Sequence, residues 1–140
     1  MTTVPGPLAS GRVATRLPAR DLDRARAFYR EKLGLEPAEE RPGGLRYEAA
    51  GGTTFVLFRS AGVASGEHTQ MAWEVDDLDT VVADLRARGV TFEDVDLPGM
   101  RTVDGIALVE GNYPSAGTAE RGAWFRDSEG NLLGVGQPVR

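Results

Sequence analysis

Apolar residues in this chain recur first at every second position, then at every third or fourth, and the sequence runs through that order twice. Over residues 12–18, Val13, Thr15 and Leu17 alternate with Arg12, Ala14 and Arg16, which predicts a strand with one buried face. Asp21 then opens a helix on which Leu22, Ala25, Phe28, Tyr29 and Leu33 fall at helical spacing, and Gly34 stops it. Short strands are expected at 36–41, 44–50 and 53–59, separated by Pro42-Gly43-Gly44 and Gly51-Gly52. The second pass starts at residues 68–75, where Met71, Trp73 and Val75 share one face and His68, Gln70, Ala72 and Glu74 the other. Asp77 opens a helix carrying Leu78, Val81, Val82 and Leu85, Gly89 ends it, and strands are expected near 90–95, 121–127 and 131–137.

The repetition has a register. Asp21-Leu22-Asp23 recurs as Asp77-Leu78-Asp79, an offset of 56, while Gly44 and Gly52 recur as Gly122 and Gly130, an offset of 78. The offsets differ by 22 residues, so the second unit carries an insertion, placed at about 97–121. The reading is a single α+β domain over 1–140: a flexible arm at 1–10, a first β-α-β-β-β unit at 11–60, and a second at 67–138. Two curved mixed sheets would pair around a pocket, because neither unit alone can hide its apolar faces. The insertion is rich in glycine, with Pro98 and Pro114, and one apolar stretch inside it, 105–109, offers an extra strand. It reads equally as a lid carrying Tyr113 or as an edge strand or dimer contact.

Composition narrows the function. With 41% hydrophobic and 26% charged residues the chain is globular in balance. A net charge of -5 argues against nucleic acid and against anionic membrane surfaces. The absence of cysteine removes disulfides and thiolate metal sites. The first residues lack the layout of a signal peptide, and the longest apolar run, 55–58, is far short of a membrane span, so a cytoplasmic location is expected.

Three segments together, DLDRARAFYREKLGL after its strand, HTQMAWEV before DDLD, and WFRDSEGNLLGV, resemble the vicinal oxygen chelate superfamily, which includes glyoxalase I, extradiol dioxygenases and bleomycin-resistance proteins. The resemblance spans about residues 11–138. It implies paired half-barrels, a homodimer, and in the enzymes a divalent metal held at four symmetric strand positions. Those positions map to Ala14, Val56, Gln70 and Gly134 here. Only Gln70 offers an oxygen, whereas a protein-held divalent cation takes three or four donors with a carboxylate or imidazole among them. No metal or other cofactor is therefore expected. His68, the single histidine, either stands at the pocket rim, the reading preferred here, or joins Gln70 at a shifted metal site.

Strand parity gives the expected ligand-binding residues: Ala14, Arg16, Val56, Phe58, His68, Gln70 and Gly134, with Thr54, Leu132 and one of Trp124 or Phe125, and Tyr113 on the insertion. Phe58 and Trp124 can stack on a flat ligand and Arg16 can pair with an acidic or phenolic group; Phe58 could equally fill core, whereas the pocket is the preferred place for Trp124. The expectation is a metal-independent binding protein of the bleomycin-resistance type for a small aromatic or amphipathic metabolite or antibiotic. The alternative is a lyase, isomerase or dioxygenase-like enzyme with a shifted metal site. No catalytic residue is assigned.

Overall fold

The computed structural model describes residue 4 and residues 6–62, 64, 66–112 and 114–140. Strand β1 (Thr15–Ala19) leads into helix α1 (Leu22–Leu33), followed by β2 (Glu39–Arg41), β3 (Gly44–Glu48) and β4 (Thr54–Arg59). The second unit runs β5 (Met71–Glu74), α2 (Leu78–Ala87), β6 (Asp96–Leu97), β7 (Met100–Arg101), β8 (Ala107–Glu110), β9 (Ala119–Arg126) and β10 (Leu132–Val139). Both helices begin as the pattern predicts. The Asp21 carboxylate accepts from the amide of Arg24 at 3.0 Å, and that of Asp77 from the amide of Thr80 at 3.2 Å, each satisfying a free donor of the first turn. Gly34 closes α1 at φ 70°, a conformation that favours glycine.

Two four-stranded mixed sheets result, ordered β1-β4-β3-β2 and β5-β10-β9-β8. The repeat extends to the residue pairs. Thr15 pairs with Phe55 as Met71 pairs with Leu133, and Gly44 pairs with Phe58 as Gly122 pairs with Gly136. Every pair reproduces the offsets of 56 and 78.

The second sheet departs from its template along one edge. Phe92 makes only an isolated bridge to Phe125, and β8 resumes the same edge opposite Gly122. The strand expected at 90–95 is thus reduced to one bridge, and the apolar stretch in the insertion supplies the edge strand. Val90 and Phe92 are buried, but Asp94 and Asp96 suit solvent better than a ladder, and Pro98-Gly99 turns the chain into the β6–β7 hairpin. The extra residues are divided between that hairpin and a long β8–β9 connection. Ser115 in the connection reaches Glu74 on the opposite edge strand: its amide donates to Oε1 at 2.7 Å and its hydroxyl to Oε2.

The helix-side faces of both sheets share one core. Leu17, Leu45, Tyr47, Phe55 and Leu57 pack with Leu22, Ala25 and Tyr29, while Ala123, Phe125, Leu133 and Val135 pack with Leu78, Val82 and Leu85. Phe55 and Trp73 join the halves edge to face, ring centroids 5.7 Å apart. Val13 departs from the expected pattern: it lies before β1 and is fully exposed, as are most of Val4 and Leu8 in the arm. No helix among the described residues is long and apolar enough to cross a membrane.

Candidate functional site

The face of the second sheet turned away from the helices is paved with small residues. Gly122, Gly134 and Gly136 lie there, and the Trp124 indole rests on this floor. A Cβ built on Gly134 would stand 3.3 Å from Cδ1 and Nε1 of Trp124, and one on Gly122 would stand 3.1 Å from Cη2 and Cζ2. The ring therefore spans both glycines, and a larger residue at either would lift it. Strand parity left Trp124 and Phe125 open; Trp124 takes the outer face, and Phe125 is fully buried.

Above the indole is a cleft of about 480 Å³. His68 and Thr69 form one wall with Glu67, and Leu132 extends the floor. The opposite wall is the stretch Glu93 to Val95 and the hairpin residues Leu97 and Met100. The amide of Glu93 donates to the Trp124 carbonyl at 2.7 Å, which fixes this wall against β9. Arg126 is occupied: it donates to Glu93 at 2.9 Å and to the carbonyls of Gly66 and Gly130. Glu67 and Asp94 have no cationic partner among the described residues. His68 is exposed at the rim, and Tyr113 lies outside the described residues.

Arg16, Val56 and Phe58 form a different cleft, of about 460 Å³, on the corresponding face of the first sheet, with Glu39, Arg41 and Arg46. Arg41 and Arg46 are both bound to Glu39, and Arg46 also to Glu48. Arg16 has no carboxylate partner among the described residues. Of the predicted pocket residues, His68, Trp124 and Leu132 line one cleft and Arg16, Val56 and Phe58 the other, the two share no residue, and Gln70 and Gly134 line neither. Thr54 lies on neither: it lines a cleft of about 660 Å³ on the seam between β4 and β5. Ala14 is exposed, one residue outside β1. Sequence reasoning missed Glu67, Asp94, Leu97 and Met100. The last two flank Pro98-Gly99, and apolar residues on either side of a turn pair are a hairpin signal.

The turn after β9 holds both of its acidic side chains out of solvent. Asp127 is buried, its Oδ2 accepting from the Tyr29 hydroxyl at 2.8 Å and from Nδ2 of Asn131 at 2.9 Å. The Glu129 side chain is only 1% exposed; it accepts two bonds from Arg24 and one from the amide of Asp21. Burial pushes the Glu129 carboxyl up, but the bonds from Arg24, the Asp21 amide and Ser128, with the Arg24 charge, bring it down to about 2. Burial and the neighbouring Asp127 raise the Tyr29 phenol well above 10. These residues tie the two units together.

The model of the Glyoxalase/Bleomycin resistance protein/Dioxygenase superfamily matches residues 11–135. The chain belongs to that superfamily. A glyoxalase/bleomycin resistance protein/dioxygenase from Alicyclobacillus acidocaldarius aligns at 20% identity and TM-score 0.65, covering 94% of this chain and 93% of its own. A lactoylglutathione lyase from Agrobacterium tumefaciens aligns at 23% identity and TM-score 0.60, with 91% and 93% covered. The fosfomycin resistance protein FosX from Listeria monocytogenes aligns at 17% identity and TM-score 0.63, with 93% and 94% covered. At these identities the likeness shows the fold. No curated protein matches the chain.

The four positions that the resemblance assigns to the metal do not offer a cation's donor set in this chain. Ala14 and Val56 carry no donor, and Gly134 lies beneath the Trp124 indole, which covers the space a longer side chain there would enter. Gln70 alone supplies an oxygen, Oε1, buried and without a partner among the described residues. One amide oxygen is too few for a divalent ion that takes three or four protein donors.

Proposed function

We propose that this superfamily member is a metal-independent binding protein that holds a small, flat aromatic or amphipathic molecule. The observation carrying this reading is the Trp124 indole on its glycine floor, at the place where the superfamily's enzymes need a metal ligand. An indole fixed on one side with a cleft on the other is a stacking platform. It loses little entropy when a ligand arrives.

The protein acts on this reading as a homodimer. One chain holds Arg16 and Phe58 on one cleft and Trp124 and His68 on another. A second copy laying its first-unit face over the second-unit face would gather them round one ligand. The exposed Val4 and Leu8 of the arm, with Val13 just after it, give apolar surface to bury against that copy.

The test combines elemental analysis, sedimentation and calorimetric titration with a panel of aromatic natural products. The expected result is a dimer without stoichiometric metal that binds at least one flat compound with saturable heat. One equivalent of Ni, Zn, Fe or Mn per chain would overturn it. That result would favour the alternative, a lyase, isomerase or dioxygenase-like enzyme whose metal sits at the unpartnered Gln70 Oε1 beside His68.

A further inference from the structure

Once internally paired side chains are set aside, the two clefts carry opposite charge. In the first, Glu39 and Glu48 occupy Arg41 and Arg46, leaving the Arg16 guanidinium free among the described residues. In the second, Arg126 occupies Glu93, leaving Glu67 and Asp94 as free carboxylates beside the indole. An aromatic face with carboxylates at its edge favours a flat cation, because the ring quadrupole and the charges attract positive charge together. A free guanidinium beside Phe58 favours a carboxylate or another planar anion.

We infer that the ligand is dipolar: a flat, positively charged ring system that stacks on Trp124 between Asp94 and Glu67, and that bears an acidic group directed to Arg16. This rests on the proposed binding function and on the two clefts facing one another in the dimer. It adds the charge class of the ligand and names the side chain that reads each end. Purely apolar or singly charged molecules would leave Arg16 or Asp94 facing a ligand that cannot answer it.

Four acridines of nearly equal size serve as probes at mildly alkaline pH: neutral acridine, cationic N-methylacridinium, anionic acridine-9-carboxylate, and the zwitterion 9-carboxy-N-methylacridinium. Binding is read by calorimetry on the intact dimer. The zwitterion is expected to bind tightest, with each charge contributing about fivefold, the size of a single net hydrogen bond or ion pair. Asp94→Asn should weaken only the probes with a quaternary nitrogen, and Arg16→Gln only those with a carboxylate. Equal affinity across the four, or a variant that weakens the wrong pair, would overturn the inference while leaving the binding function intact. If none of the four binds while a neutral compound of the wider panel does, the dipolar class is again wrong. Failure of every flat compound sinks the binding function itself. Both substituted residues are exposed, and unchanged thermal unfolding of each variant separates lost recognition from lost fold.

Discussion

The Tyr29 hydroxyl, on the helix of the first unit, donates 2.8 Å to Oδ2 of Asp127, at the turn of the second. Both groups are buried, and Asn131, which shares the same carboxylate oxygen, also donates to the Pro18 carbonyl at 3.1 Å. The Asp127 carboxylate thus holds a helix residue to its own turn, and Asn131 links that turn to β1. Hydrogen bonds to a charged group contribute about 1.5–3 kcal/mol, more than an ordinary net hydrogen bond.

Tyr29→Phe keeps the ring contacts with Tyr47 and Phe55 and removes only the hydroxyl. It should destabilise the protein by about 1–3 kcal/mol, because Asp127 then keeps fewer donors in a buried place. Urea unfolding would show a lower midpoint at unchanged slope, and ligand affinity should not move. An unchanged midpoint would mean the bond contributes nothing to joining the units.

Gly134→Val tests the platform. Its side chain would enter space held by the indole, whose nearest atoms are 3.3 Å from an added Cβ. Overpacking of this kind costs about 1–3 kcal/mol. The variant should stay folded, show red-shifted tryptophan emission as Trp124 lifts into solvent, and lose binding of flat ligands. Retained emission with retained binding would refute the glycine floor as a functional feature.

Much of this was legible in the sequence because it rests on local, repeated physics. The Asp21 and Asp77 caps, the glycine stop at Gly34 and the alternating strands each follow from neighbouring residues, and the offsets of 56 and 78 carried these features into the strand pairings. The edge of the second sheet was not legible. Asp94, Asp96 and Pro98-Gly99 can end the strand at Phe92, but nothing local tells that its edge resumes at Ala107, since that depends on which distant segment completes the edge of β9. The two clefts were hidden for a related reason. Parity tells which residues share the face of one sheet, but not how the faces of two sheets are turned. The burial of Glu129 has no local sign, because its partner, Arg24, lies 105 residues away.

The β6–β7 hairpin forms one wall of the second cleft through Leu97 and Met100. Leu97 is 57% exposed, so its truncation should leave stability within about 0.5 kcal/mol. Replacing both by alanine removes apolar surface that a stacked ligand would cover, and should weaken affinity by about tenfold. Calorimetry on the double variant checks this. Equal affinity would show that the ligand does not reach the hairpin.

Acid sensitivity should centre on Glu129. Its carboxyl is held at about 2 in the folded protein, below the ordinary 4.5, so the folded state favours the ionised form. The stability this supplies is complete above the ordinary value and is lost as pH falls from there towards 2. A shift of that size corresponds to about 3 kcal/mol for a side chain almost wholly buried. Glu120 acts in the opposite sense: burial and the nearby Glu74 raise its carboxyl, so protonation on acidification relieves a cost. Glu129→Gln should therefore be less stable than the parent near neutrality and should flatten the acid limb of the stability profile. Glu120→Gln should be no less stable near neutrality and should steepen that limb. Thermal unfolding of the three proteins across the acid range decides it, and an acid limb in Glu129→Gln as steep as the parent's would locate the acid sensitivity elsewhere.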